Sequence, residues 1–387
     1  MPVEEVTLTA RFKVDLTDVD DDVIIKIRRL FTIYKKVVNS LINYANEHQI
    51  TNFKWLCHVK YHEIRKKYPM LPTKYIICAC RHAINIYRTF IKLKGMGLCK
   101  KKKPMFKGQA IWLHKKLFKL NTEDWSVSIA VCDREWVTLR LLHGRYHDRF
   151  KGMKMAEAQL LWKDDDNLYL NIFFHQTVML AEISMKTKII AIDVNENVIA
   201  YGNEDFVERF ETNEGIIRTR YFLKRRRIQL KIRGGELRKK LLEKYKGREW
   251  RRIREIYYKA AKEIVNKAKE VGATIIVMED LKIYKENLGS KGLNGRIHRW
   301  SYRRFQRILE YQAKLHGLNL KYVNPKSTSK TCPVCGGELD LSPNGHRLMR
   351  CLRCGLEEDR DVIAVKNLAK RYYEECASAK ASQNLSF

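Results

Sequence analysis

The chain has 387 residues, with 76 Lys and Arg against 44 Asp and Glu, a formal charge of +32 at pH 7. That length suggests two to four domains with ample core, and that charge favours a polyanionic partner, nucleic acid before a membrane surface. No apolar run approaches the ~20 residues that cross a bilayer, and no Gly-Lys pair is present to open a phosphate loop, so a helical membrane span and a P-loop ATPase are both excluded.

Residues 5–16 alternate apolar and polar and read as a strand, not a signal peptide. Asp18, Asp20, Asp21 and Asp22 then precede an apolar-periodic stretch, Val23–Asn46, where acids at a helix start complement the dipole. Ile27, Leu30, Phe31, Tyr34, Val37, Val38, Leu41 and Ile42 share one face. Trp55–Tyr68 and Tyr75–Leu93 read as two more amphipathic helices, separated by Pro69 and Pro72. Lys60, Arg65, Lys66, Lys67, Arg81 and Arg88 fall on the exposed side of this helical unit and suit a nucleic-acid face.

A basic linker, Lys100–Lys103 with Pro104, leads to Phe106-Lys107-Gly108. Strand character returns over 110–120, 126–132, 136–142, 156–163 and 168–176, which predicts a small β-barrel that the first strand joins. The helices then form an insertion between barrel strands.

From about residue 184 a different pattern begins. Ile189, Ile190, Ala191, Ile192 and Val194 predict a strand buried on both faces, and Asp193 interrupts it. A charge there is costly unless a partner neutralises it. Asp193 is then either a buried acid capping a turn or pairing with an Arg, or a metal ligand on the central strand of a ribonuclease H-like core. Asn195–Asn197 turn the chain toward strands Val198–Tyr201 and Phe206–Glu211.

Lys224–Lys259 carries 16 Lys and Arg and four Glu in 36 residues, a net +12, broken at Gly234-Gly235 and Lys246-Gly247. A thin seam of Leu223, Ile228, Leu230, Leu237, Leu241 and Leu242 predicts a basic helical hairpin. Strand Ala273–Met278 ends in Glu279-Asp280. A polar loop, Lys282–Arg299, leads to helix Trp300–Leu315 and strand Leu318–Val323. A last helix is expected from about Asp359 to Glu375.

Adjacent parallel strands would bring Asp193 and Glu279 to one sheet edge. The third acid lies in Glu357-Glu358-Asp359-Arg360-Asp361. Asp361 shares a helical stripe with Val365 and Leu368, and Asp359 one with Val362 and Ile363, so spacing alone leaves both open. Asp280 would turn to the opposite face, which assigns it a structural role. Three carboxylates are hard oxygen ligands for two divalent ions, typically Mg²⁺, and suit in-line phosphodiester hydrolysis.

Cys332-Pro-Val-Cys335 and Cys351-Leu-Arg-Cys354, 15 residues apart, form the spacing of a Cys₄ zinc ribbon with no open coordination position. A redox dithiol pair lacks its usual context. Cys57, Cys78, Cys80, Cys99, Cys132 and Cys376 have no ligand spacing and read as small buried or neutral residues. Lys326, Lys330 and Arg353 give the ribbon a basic surface.

The succession Ile-Asp193-Val-Asn-Glu, Val-Met-Glu279-Asp-Leu, Ser329-Lys-Thr-Cys-Pro-Val-Cys-Gly and Cys351-Leu-Arg-Cys354-Gly with Asp359-Arg-Asp361 resembles the transposon-encoded TnpB (OrfB) proteins, relatives of the compact type V CRISPR effectors. The Lys-Pro-Met-Phe-Lys-Gly segment at 103–108 fits the same family. The resemblance implies a multidomain α+β fold. Its parts are a wedge β-barrel (1–19 with 106–182), a helical recognition insertion (20–105), a RuvC-like nuclease core with a mixed sheet (183–325 with 356–375, its basic hairpin at 220–268), a zinc ribbon (326–355) and a flexible tail (376–387).

It further implies an RNA-guided DNA endonuclease with Asp193, Glu279 and Asp361 as catalytic and Mg²⁺- or Mn²⁺-binding residues, Asp361 preferred over Asp359. Zn²⁺ would sit on Cys332, Cys335, Cys351 and Cys354. The implied partners are a guide RNA from the transposon end and double-stranded DNA with a short flanking motif, in a prokaryotic cytoplasm, on the nucleoid when bound, with no membrane partner. Expected nucleic-acid contacts are Lys107, Arg225, Arg226, Arg227, Arg251, Arg252, Arg303 and Arg304. The family usually has Asn where this chain has Ile363. A nuclease-inactive RNA-guided regulator would show loss of an acid, and none is lost; a strand-joining transposase is the third reading.

Overall fold

The alternating N-terminal stretch forms β1 (Val3–Val14), with Val6, Leu8, Ala10, Phe12 and Val14 buried on one side. The computed structural model describes residues 2–164, 166–182, 187–280 and 300–384. They divide into two compact units, Glu5–Gln176, and Met1–Glu4 with Thr177–Phe387.

In the first unit Asp20 caps α1 (Asp21–Glu47): its carboxylate accepts from the Asp22 amide, and Asp21 and Asp22 complement the dipole. Asn52 caps α2 (Phe53–Lys67) through the Lys54 amide at 2.9 Å, and α3 (Thr73–Gly95) follows Pro72. The apolar face expected for α1 is the buried one, and α1 packs on α3 where the Tyr34 and Tyr75 rings meet edge to face with centroids 6.3 Å apart.

The stretch 110–120 is two strands, not one. β2 (Ala110–Leu113) and β3 (Phe118–Asn121) are split by a turn in which the Leu117 amide donates to the His114 carbonyl at 2.7 Å. β4 (Ser126–Cys132) and β5 (Glu135–Leu142) pair antiparallel. After the short α4 (Arg145–Asp148), β6 (Lys154–Asp164) and β7 (Asn167–Met179) also pair antiparallel. The seven strands form one sheet in the order β2-β6-β7-β1-β5-β4-β3. Among the described residues no ladder joins β2 to β3, so where a barrel was expected there is a sheet with two edges.

The second unit is built on a mixed sheet of β8 (Ile189–Val194), β9 (Val198–Gly202), β10 (Val207–Glu211), β11 (Ile275–Glu279) and β12 (Asn319–Val323), ordered β10-β9-β8-β11-β12. β8, β11 and β12 run parallel, whereas β9 and β10 return antiparallel. Every residue of β8 and β11 is buried, as a strand covered on both faces requires.

The basic stretch forms three helices, α5 (Glu214–Lys231), α6 (Gly235–Tyr245) and α7 (Arg248–Glu270), broken at the two glycine sites, and not a simple hairpin. Its thin seam does not close: α6 buries no residue, and Leu223, Leu230 and Leu237 are exposed. The apolar positions are too sparse, and α5 and α7 are instead tied by charge, with Glu249 accepting from Arg218 at 3.0 Å and Arg225 at 2.5 Å.

α7 and α8 (Tyr302–Leu315) cover one face of the sheet through Ile253, Tyr257, Ile264, Phe305 and Leu309, packed with Ile190, Ile192, Ile276 and Met278. α9 (Arg360–Asn384) covers the other. It continues past Glu375, where the helix was expected to end and a flexible tail to begin, because Ala377, Ala379 and Ala381 extend a run of good helix formers. Between β12 and α9 lie three short strands, β13 (Leu339–Leu341), β14 (Leu348–Cys351) and β15 (Glu357–Asp359), paired antiparallel in that order. The predicted loop Lys282–Arg299 lies outside the described residues, apart from its flank at Trp300. Among the described residues no helix is long and apolar enough to cross a membrane.

Candidate metal centre

Strand alternation decides which side chains meet. Ile189 and Ala191 on β8, and Ile275 and Val277 on β11, face α9 with Val365, Leu368, Ala369 and Tyr372. Asp193 and Glu279 continue the same parity onto that face. In the β8–β11 ladder Met278 pairs with Ile192, so the two acids follow one step later on adjacent parallel strands. Asp361 lies in the first turn of α9, on the stripe that runs through Val365 and Leu368. All three carboxylates are buried, at 8%, 9% and 5% exposure.

Their electrostatics show that they share one neighbourhood. Burial first, and then the charges of Glu279 and Asp361, push the Asp193 carboxyl up to about 7 against the pull of its Asn195 hydrogen bond. Burial raises Glu279 too, opposed by the Thr328 hydroxyl and by Arg371. The Asn195 amide donates to Asp193 Oδ2 at 2.7 Å and to Asp361 Oδ1 at 3.2 Å, bridging two of the acids. In the sequence Asn195 reads only as part of a turn, and its place two residues past the central acid is the one signal of this role.

Asp361 is ion-paired with Arg347, and Arg209 Nε lies 3.9 Å from it. Both arginines also pair with Asp359. Asp359 closes β15 outside the helix, where its Oδ1 accepts from the Asp361 amide at 2.8 Å and caps α9. The two aspartates therefore differ in kind, which helical spacing did not separate because the helix begins at Arg360. Asp280 is exposed, with its amide on the Val323 carbonyl at 2.9 Å.

The donor set fits hard divalent cations. Among the described residues Asp193 and Glu279 make no ion pair, and the cations that act on them, Arg360 on Asp193 and Arg371 on Glu279, only partly offset burial. Beside them a cavity of about 300 Å³ is lined by Asn195, Asn197, His346, Arg347, Arg360 and Asp361.

The four ribbon cysteines form the second centre. Among the described residues they are the one group of three or more such side chains with all ligand atoms within 4.8 Å of one another. Among the described residues the three carboxylates do not form such a group. Cys332 and Cys354 sulfurs are 3.6 Å apart, and Cys335 and Cys351 sulfurs 3.4 Å. Gly336 and Gly355, each directly after the second cysteine of its pair, have φ of +71° and +76° and close matching turns. Backbone N–H groups aimed at its sulfur pull the Cys351 thiol down, while the crowded sulfurs of Cys335, Cys351 and Cys332 push Cys354 up, as four thiols sharing one small space must. All of this suits a tetrahedral structural zinc. Ile363, fully buried, packs with Cys332, Leu339, Met349 and Cys351, so this residue joins α9 to the ribbon core.

The predicted nucleic-acid contacts divide by partner. Lys107, Arg226, Arg227, Arg251 and Arg252 are exposed. Arg225 is held by Glu249, Arg303 lies over the Tyr302 ring at 5.8 Å, and Arg304 stacks on Trp250 at 4.3 Å.

Known proteins resemble this chain in sequence and in fold. The Cas12f1-like TNB domain family matches residues 302–368, the stretch from α8 through the ribbon into α9, and the uncharacterized protein MJ0013 family matches 30–130. The TnpB-like protein MJ0751 of Methanocaldococcus jannaschii is 34% identical over 269 residues, covering 66% of this chain and 93% of that protein. The chain belongs to the TnpB-like family. A second TnpB-like relative, aq_aa05 of Aquifex aeolicus, is 29% identical over 56% of this chain and 78% of its own length. The CRISPR-associated endodeoxyribonuclease Cas12f1 of Sulfoacidibacillus thermotolerans is 31% identical over 106 residues, 27% of this chain and 24% of that protein. In fold, this TnpB-like chain resembles the Cas12f1 of a Cas12f1–sgRNA–target DNA complex, with a TM-score of 0.64 at 15% identity over 95% of this chain and 99% of that one. The family is thereby related to the compact type V effectors.

Proposed function

We propose that this TnpB-like chain is a transposon-encoded, RNA-guided endonuclease that cuts double-stranded DNA by metal-dependent phosphodiester hydrolysis at Asp193, Glu279 and Asp361. The observation that carries the proposal is that Asp193 and Glu279 lie at the ends of adjacent parallel strands, buried, with Asn195 bridging Asp193 to Asp361. The relatives' names support the class of reaction, since one is an endodeoxyribonuclease and the solved fold-mate is bound to guide RNA and target DNA.

Asp193, Glu279 and Asp361 would hold Mg²⁺ or Mn²⁺. When bound, such cations supply the Lewis acidity for in-line displacement of a 3′ oxygen by water. Asn195 orients two of the acids. His346, Arg347 and Arg360 line the adjoining cavity with donors for a phosphate. Zinc on the four cysteines would hold the ribbon and, through Ile363, the start of α9. Guide pairing would read the sequence, with the protein reading a short flanking duplex. On this reading the seven-stranded sheet with helices α1–α3 holds the flanking duplex and seed, and exposed Arg226, Arg227, Arg251 and Arg252 track the heteroduplex backbone.

The test is cleavage by the ribonucleoprotein purified with its own RNA. The RNA is sequenced, and the complex is offered plasmids matching its guide beside a library of flanking sequences. Mg²⁺-dependent linear product is expected. Binding without cutting across the whole library would overturn the nuclease reading in favour of a regulator, and joined transposon ends would mark a transposase.

A further inference from the structure

Glu279 is held by a hydroxyl that neither the sequence motif nor the family comparison assigns. Thr328 is buried, and its Oγ1 lies 3.0 Å from Glu279 Oε1 and 3.1 Å from the Pro325 carbonyl. Gln306 Nε2 secures the Glu279 backbone by donating to its carbonyl at 3.0 Å. Thr328 thus holds one carboxylate oxygen of Glu279, Oε1.

Thr328 is itself fixed from a third direction. The Asn367 amide, buried on α9, donates to the Thr328 carbonyl at 2.7 Å and to the Thr331 carbonyl at 2.7 Å. Thr331 directly precedes Cys332, the first ribbon cysteine. Asn367 belongs to the helix that carries Asp361. One buried chain of hydrogen bonds thus joins the end of β11, the entry to the ribbon and α9. Buried polar groups of this kind are costly when left unpaired, so the network is maintained as a unit.

We propose that Thr328 is the positioning residue for Glu279: its hydroxyl sets the carboxylate for cation binding, and Asn367 locks that setting to the ribbon and to α9. The proposal rests on the three acids holding divalent cations. A hydroxyl given to a carboxylate restrains its rotation and favours its charged form. A threonine that merely fills space would do neither.

Two substitutions separate these roles. Thr328→Val keeps the shape and removes the hydroxyl; Thr328→Ser keeps the hydroxyl and removes the methyl. Each ribonucleoprotein is titrated with Mn²⁺ and followed by electron paramagnetic resonance, with zinc content and thermal melting measured alongside. T328V is expected to bind Mn²⁺ about tenfold to a hundredfold more weakly, the range of a hydrogen bond to a charged group, while retaining its zinc. T328S is expected to stay within about twofold of the parent. Unchanged Mn²⁺ binding by T328V, or equal damage by T328S, overturns the proposal. Should T328V fail to fold, Asn367→Leu serves in its place: weakened Mn²⁺ binding supports the lock and unchanged binding overturns it. A parent complex that binds Mn²⁺ but cuts no target would overturn the nuclease reading alone, because Glu279 positioning is read from Mn²⁺ affinity.

Discussion

Asn195 and Asp361 stand 166 residues apart in sequence, yet the Asn195 amide donates to Asp361 Oδ1 at 3.2 Å. The same nitrogen reaches Asp193 Oδ2 at 2.7 Å, so the start of α9 is registered against the end of β8 through one side chain. Asn195→Ala removes two hydrogen bonds to charged acceptors. Single-turnover cutting is expected to fall by at least about tenfold, with RNA retention unchanged, and a rate within twofold of the parent would show that the bridge is dispensable.

The raised Asp193 carboxyl makes a prediction about stability. Between its unfolded value, 3.8, and its folded value, about 7, the folded chain holds a proton that the unfolded chain has released. Stability with chelator present therefore falls as pH rises through that window, by roughly 4 kcal/mol in full. Asp193→Asn removes the burden. In EDTA at pH 8 this variant should unfold at a higher denaturant midpoint than the parent, and the gap should narrow toward pH 5. An equal or lower midpoint at pH 8 would contradict the burial of an unneutralised acid.

His82 titrates with the opposite sense. Burial pulls it down to about 4, beside the Phe106 ring at 4.7 Å and the Tyr34 hydroxyl at 3.4 Å. The folded chain then binds fewer protons than the unfolded chain below pH 6.5, and stability is lost as pH falls toward 4, by roughly 3 kcal/mol. His82→Phe should flatten that part of the pH–stability curve. A curve as steep as the parent's would place the acid sensitivity elsewhere.

Ile363 gives a prediction specific to this chain. Replacing it with Asn puts an unpaired amide among Cys332, Leu339, Met349 and Cys351. The cost is about 2–4 kcal/mol, from lost apolar burial and an unsatisfied polar group. Ile363→Asn should melt earlier and lose zinc to a chelator faster. Unaltered zinc retention would mean that helix and ribbon do not depend on this contact.

Much of the fold was legible because the signals are local. A strand buried on both faces reads as an unbroken apolar run, and a lone Asp193 within it stands out. Paired C-x-x-C motifs carry their own geometry, and α1 announces its start with Asp20, Asp21 and Asp22, whereas the Asn52 cap of α2 shows only in the structure. What escaped depends on partners remote in sequence. The bridge from Asn195 cannot be seen until β8 and α9 share a face. Asp359 and Asp361 separate only once the ribbon's last strand claims Asp359. The leucines of α5 and α6 read as a seam, but among the described residues Leu223, Leu230 and Leu237 stay exposed and only Leu241 and Leu242 are half-buried.

The most direct test of the central claim sets Asp193→Ala, Glu279→Ala and Asp361→Ala beside the parent ribonucleoprotein on one matched plasmid in Mg²⁺. The parent should linearise the plasmid, while each variant keeps its RNA and yields no product. Cutting at the parental rate by any one of the three, or loss of RNA together with activity in all of them, would contradict a shared metal site.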